Sequence, residues 1–283
     1  MSATVLHRPA TLHEALELLA DDPDAHAVAG GVSLVAIINA QLLAPTALVS
    51  LRGIGELEGI RATPDGGIAI GAMTRHRAVA AEARLRGPLG CVSEAARSIA
   101  SPPVRNMGTI GGSISLGDPG ADLPPALVAV DATIEIANAR RTRRLSAREF
   151  FVDWYTTALE PGELVTAVRL PASESGTACY EKLVRVAGDI CIASVALSVS
   201  SSGMARAALG GCGPAPVFSD EADALLSRGL GDAASVQAAG AALGRVAKPM
   251  DDVRGSADYR RMLIPRMLAR AAARAFAQLE RAA

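Results

Sequence analysis

The chain has 283 residues, half of them hydrophobic, and a formal net charge of −1. That length supplies a substantial core and room for more than one unit, while near-zero charge excludes a general nucleic-acid or anionic-membrane binder, since both need a basic footprint. No apolar run approaches the roughly 20 residues of a membrane-spanning helix, and "MSATVLHRPATLHEALELL" has no basic-then-apolar leader, so a cytoplasmic location is expected.

In chain order, "TVLHRPA" reads as a short strand. Thr11 followed by Glu14 three residues on, with Ala15, Leu16, Leu18, Leu19 and Ala20 as an apolar face, predicts a capping-box helix. "AHAVAGGVSLVAIINAQLLAP" reads as strand, Gly-Gly turn and helix ending before Pro45, and "TALVSLRGI" as a strand. One βαβ unit therefore fills residues 1–55. The texture then changes to a hairpin turning at Asp65-Gly66 and two helical stretches, "HRAVAAEARL" and "PLGCVSEAARSIA". A glycine- and proline-rich loop, "PVRNMGTIGGSISLGDPGADLP", follows. An apolar helix-like piece, a hairpin whose turn carries Arg140, Arg141, Arg143 and Arg144, and the strand "PGELVTAVRLP" complete a second unit over 56–173. From 174 to 283 three alternating stretches predict an antiparallel sheet, and three helices come after it, which is the pattern of a separate α+β unit.

Cys91, Cys179, Cys191 and Cys212 form no C-x-x-C pair, and His7, His13, His26 and His76 are equally scattered, so no metal ligand set is expected. The chain holds only two lysines, Lys182 and Lys248. No G-x-G-x-x-G follows a strand, and no P-loop, G-x-S-x-G or H-E-x-x-H is present. Two glycine sites remain: Ala29-Gly30-Gly31 before a helix, and Gly108 to Ser113. Bare backbone lets N–H groups converge on an anion, and a helix N-terminus adds partial positive charge; tight turns are the competing reading for each pair. Asp118 and Asp122 would be repelled by a phosphate, so they suit ribose hydroxyls or backbone capping. Arg105 reads as structural or salt-bridged, and the arginines at 140–144 as a solvated turn or a partner-docking patch.

Taken together, these motifs resemble the FAD-binding medium subunit of the molybdenum hydroxylases, the group containing carbon monoxide dehydrogenase and the xanthine dehydrogenases. "AGGVSL" (Ala29, Gly30, Gly31, Val32, Ser33, Leu34) is similar to the family's first FAD segment, and "IASPPVRNMGTIGGSISLGDPGADLP" to its second. "ALEPGELVTAVRLP", "YEKLVRVAGDI" and "ARAALGGCGPAPV" resemble downstream stretches, so the likeness runs nearly end to end. It implies an α+β chain: a two-subdomain FAD-binding (PCMH-type) fold, then a three-stranded antiparallel sheet with a helix bundle. It implies that Ala29 to Ser33 and Thr109, Ile110, Gly111, Gly112 and Ser113 wrap the FAD pyrophosphate through backbone amides. Asp122 would meet the ribose–adenine end, Ile99, Leu164 and Val165 would line the cofactor, Lys182 would lie on the flavin side, and Ile190 over the isoalloxazine. Bland readings stand beside the last two: a surface lysine on a strand and a core isoleucine. Val32 and Ser113 depart from the family's usual polar residue and asparagine at those positions.

The implied role is electron transfer from iron–sulfur clusters through FAD to a terminal acceptor, with no catalytic acid or base in this chain. Molybdopterin and [2Fe-2S] clusters would sit on partners, a molybdopterin large subunit and an iron–sulfur small subunit, in a heterotrimer. A self-contained FAD-dependent reductase of the same fold, and a scaffold subunit that has lost FAD, are the alternatives.

Overall fold

Three sheets organise the computed structural model, which describes residues 4–173 and 175–282. The first comes from β1 (Val5–His7), α1 (Leu12–Asp21), β2 (His26–Val28), α2 (Val32–Asn39) and β3 (Ala47–Ser50). Its strands run parallel in the order β1-β3-β2, each joined through a helix, because parallel neighbours need a crossover. Thr11 caps α1 as its position predicts, accepting from Glu14 N, while the Glu14 carboxylate reaches back to Ala10 N at 2.8 Å. Leu16, Leu19, Val49, Leu51 and Ile54 bury together on one side, and Met73 and Leu164 join them from the second unit.

The second unit contains β4 (Ile60–Ala62), β5 (Ile68–Gly71), α3 (His76–Ala81), α4 (Gly90–Ser98), α5 (Pro102–Met107), α6 (Ile110–Leu116) and α7 (Leu123–Ala129). It continues with β6 (Thr133–Ala137), β7 (Thr142–Ser146), α8 (Ala147–Phe150), β8 (Phe151–Asp153), β9 (Thr156–Thr157) and β10 (Leu164–Leu170). The last strand inserts at the centre of an antiparallel sheet, β4-β5-β10-β6-β7, and its register against β6 shifts between Val165 and Ala167. Two expectations change here. The stretch expected as one glycine loop folds into α5 and α6, whose glycines occupy the first turn of a helix capped by Thr109. Arg143 and Arg144 lie in β7, leaving Arg140 and Arg141 in the turn, where the Asn138 side chain accepts from both of their N–H groups.

The third sheet, β11 (Gly176–Leu183), β12 (Ala193–Ser200) and β13 (Ala205–Gly210), is an antiparallel meander followed by α9 (Asp220–Gly229), α10 (Ala233–Val246) and α11 (Ala257–Ala282). Strand alternation sends Val195, Leu197, Val199 and Leu209 into the core shared with the three helices. Tyr180, Ala196 and Ala208 face the other way, into the core of the second unit against α4 and α7. The central strand β12 is thus buried on both faces, its serines Ser194 and Ser198 included. Among the described residues no helix is long and apolar enough to cross a membrane.

Candidate functional site

A cleft of about 450 Å³ opens between the end of the first sheet, α6, and the residues around β5 and β10. Its size and apolar lining suit a small-molecule or cofactor site. Ala29, Gly30, Gly31, Val32, Ser33 and Leu34 line one side, Thr109, Gly111, Gly112, Ser113 and Asp118 the other, with Ile99, Leu164 and Val165 as apolar walls.

The first glycine segment has a conformational reason to exist. Gly31 sits at φ 74°, the left-handed region that a Cβ penalises, and turns the chain from β2 into α2. No side chain caps this helix, so the N–H groups of Val32, Ser33 and Leu34, which have no intrahelical partner, stay open to a ligand beside the positive end of the helix dipole. Gly30 has a second reason: a Cβ there would lie 2.2 Å from Met107 O, a backbone contact that nothing could absorb. The two glycine segments touch backbone to backbone.

The second segment is built differently. Residues 74–76 run antiparallel to 108–110 through a bridge between Arg75 and Thr109. Ile110 N donates to Thr74 O at 3.0 Å and Gly111 N to Ala72 O at 2.8 Å. Gly112 N donates to Thr109 Oγ1 at 3.2 Å, and Ser113 N to Thr109 O at 3.0 Å. Four of the five amides expected to wrap a pyrophosphate are therefore committed inside the protein. Gly111 serves close packing instead, since a Cβ would meet Ala72 Cβ at 2.5 Å.

Four expected residues do not line the cleft. Ile110 is fully buried in the core of the second unit. Asp122 and Lys182 form a buried ion pair with Nζ–Oδ1 2.9 Å, and Tyr180 Oη donates to the same carboxylate at 2.7 Å. Burial pushes the Asp122 carboxyl up against the opposing pull of Lys182 and Tyr180. Lys182 also donates to Ser98 O at 3.2 Å, so the pair stands directly behind Ile99. That placement rules out a surface lysine. Ile190 is 42 % exposed and lies over Gly120, so it is not a core isoleucine either. Asp118 lines the cleft and caps backbone, accepting from Gly120 N at 2.8 Å.

Sequence reasoning missed His26, Leu51, Met73, His76 and Glu163, all of which line the cleft. His76 is 4 % exposed, its Nδ1 is buried without a partner, and burial lowers its pKa to about 4, so the ring is neutral. The backbone N–H of His76 donates to Gly108 O at 3.1 Å, and its ring fills the space a Cβ at Gly108 would need. Burial works against the Glu163 charge, but the bidentate Arg143 guanidinium, at 2.6 and 2.8 Å, outweighs it and holds the carboxyl below its usual range. Nothing in the local sequence marks either residue, because each is defined by what lies across the cleft.

The open amides of α2 and the cradle that a Cβ at Gly30 would fill fit the pyrophosphate of a dinucleotide. Comparison with known proteins agrees. The profile of the FAD binding domain in molybdopterin dehydrogenase matches residues 2–173, and that of the CO dehydrogenase flavoprotein C-terminal domain matches 178–275. The carbon monoxide dehydrogenase medium chain of Afipia carboxidovorans is 37% identical, with 96% of each chain covered. The glyceraldehyde dehydrogenase medium chain of Sulfolobus acidocaldarius is 33% identical over 91% of this chain and 92% of its own. A reconstituted CO dehydrogenase structure from Oligotropha carboxidovorans superposes with a TM-score of 0.91 at 37% identity, covering 98% of each chain. The Pseudomonas putida 86 quinoline 2-oxidoreductase gives a TM-score of 0.88 at 31% identity, covering 97% of each chain. With an uncapped helix opening onto a glycine-lined cleft, and two family profiles covering almost the whole sequence, the chain belongs to the FAD-binding medium subunits of the molybdenum hydroxylases.

Proposed function

We propose that this chain holds FAD in the cleft and relays electrons through it from iron–sulfur clusters to a small-molecule acceptor. The observation that carries the reading is the first glycine segment: three open amides at a helix N-terminus, against a backbone junction with no room for side chains. FAD exchanges electrons singly or in pairs, so it can join one-electron carriers to a two-electron acceptor. The chain's own work is binding and insulation. Val32, Ser33 and Leu34 stabilise the pyrophosphate charge, while Thr109, Gly111, Gly112 and Ser113 form the opposite wall. Ile99, Leu164 and Val165 exclude water, and the Asp118 carboxylate at the cleft lining accepts from a hydroxyl of the cofactor. Asp122 and Lys182 act from behind the wall, and Ile190 stands at the rim.

The partners under this reading are an iron–sulfur small subunit and a molybdopterin large subunit; the medium-chain and medium-subunit names of the relatives support companion chains of other sizes. The division into 1–55, 56–173 and 174–283 goes with it: the first two units bind FAD and the third buttresses them. The test is the visible spectrum of the full chain, with acid release and identification of the chromophore. About one FAD per chain, directly or after reconstitution, supports the reading. A chain that takes up no FAD would sink it.

A further inference from the structure

Ile99 helps form the cleft wall from a segment that has already left helix α4, its backbone at φ −66° and ψ 119°. Helical hydrogen bonds do not fix it. Instead, three successive carbonyls are gripped by two cations. Lys182 Nζ donates to Ser98 O at 3.2 Å, and Arg105 Nη1 donates to Ile99 O at 2.6 Å and to Ala100 O at 2.8 Å. Among the described residues no carboxylate pairs with Arg105, so the guanidinium serves these carbonyls rather than a salt bridge.

The grip works against the backbone. Ala100 sits at φ 37°, the left-handed region that residues with a Cβ avoid, and such a conformation persists only where the surroundings over-determine it. They do so from both halves of the molecule. Arg105 belongs to α5, which runs straight into the glycine segment, where Gly108 N donates to Val104 O at 2.7 Å. Lys182 belongs to β11 and is itself fixed by the Asp122 carboxylate at 2.9 and 3.0 Å. Tyr180 on the same strand donates its N–H to Glu94 of α4 at 2.8 Å. Gly188 passes so close to the strap that a Cβ there would lie 3.3 Å from Ala100 O.

We propose that Arg105 and Lys182 are positioning residues that lock the strained Ser98–Ala100 strap and so fix Ile99 against bound FAD. This rests on the FAD reading of the cleft. A planar guanidinium donating to two consecutive carbonyls sets the orientation of the peptide between them, which a freely rotating ammonium does less well. Lys182 influences the cofactor through the strap and not by touching it, which couples the C-terminal unit to the site.

The experiment titrates FAD into the full-length apo protein, following flavin fluorescence, the fine structure of the visible band, the FAD release rate and the melting temperature. Arg105→Met raises the FAD dissociation constant about tenfold and blurs the band, while Arg105→Lys falls between wild type and Met. Ala100→Gly removes the strain, so it raises the melting temperature of the apo protein and yet speeds FAD release. Arg105→Met with a lowered melting temperature but a wild-type dissociation constant and spectrum would overturn the proposal, leaving Arg105 purely structural. Unchanged release from Ala100→Gly would overturn the role of strain. If Arg105→Met does not fold, Arg105→Lys and Ala100→Gly decide. Wild-type protein that binds no FAD refutes the cofactor reading itself, which is a distinct result.

Discussion

The two glycine segments that face each other across the cleft look alike in sequence and do opposite things. In Ala29–Leu34 the chain leaves its amides open: Gly31 makes the left-handed turn, and α2 starts without a side-chain cap. In Thr109–Ser113 four amides are used up, two by residues 72–74 and two by Thr109 itself. The first segment is therefore a donor surface and the second a wall. Glycine serves three separate needs here: a positive φ at Gly31, backbone contact at Gly30 and Gly111, and room for the His76 ring at Gly108. Only the first need is what a Gly-Gly pair ordinarily signals.

The two segments are most sensitive where their backbones meet. Gly30→Ala places a Cβ 2.2 Å from Met107 O and 2.9 Å from Gly108 Cα, all backbone, so the two segments must part. Overpacking of this kind costs about 1–3 kcal/mol or more, and the donor surface moves away from its wall. FAD affinity should fall by more than about 100-fold, read by fluorescence titration, with a lowered melting temperature. Gly31→Ala is the contrast: its Cβ would meet only side chains at 3.5 and 3.7 Å, so the cost is the left-handed turn alone, about 1 kcal/mol. Equal losses at the two positions would mean that the junction is not what shapes the cleft.

The second effect in size falls on the wall alone. His76 supports Gly108 as a neutral ring whose pKa burial lowers to about 4, against about 6.5 for an exposed histidine. Between those values the unfolded chain binds a proton that the folded chain refuses. The contribution is therefore fully present above pH 6.5 and is lost as the pH falls toward 4. A gap of about 2.5 units corresponds to about 3 kcal/mol at most. Urea unfolding of the apo protein at pH 7, 5.5 and 4.5 should show that loss, and His76→Phe should flatten it. Parallel pH profiles for the two proteins would remove His76 from the wall's acid sensitivity.

Much of the frame was legible in the sequence because it rests on periodicity. The Thr11 cap, the three alternating strands of the third sheet and the helices after them follow from patterns within a single element. What escaped depends on short elements or on long separations. Helices α5 and α6 have six and seven residues, and their prolines and glycines are the residue types that read as loop, so tertiary contact decides them. Asp122 and Lys182 are each visible as single residues, but their pairing joins positions 60 apart and redirects both from the cleft to the strap behind it. Glu163 became a wall residue only because β10 inserts at the centre of the second sheet, next to a register shift.

The smallest effect tests the donor surface with the least disturbance. Val32 is the first residue of α2 and lines the cleft. Val32→Asp puts a carboxylate in the first helical turn, where the macrodipole favours it by about 0.3–1 kcal/mol, so the apo protein should become slightly more stable. The same charge opposes a bound pyrophosphate, so FAD affinity should fall by about tenfold at low ionic strength and recover partly in salt. Val32→Asn, similar in size and uncharged, should stay near wild type. Opposite signs for stability and binding are what a helix N-terminus serving an anion requires, because the dipole rewards either negative charge but cannot seat both. A loss of stability together with binding would assign Val32 to packing, and unchanged binding would move the pyrophosphate away from α2 altogether.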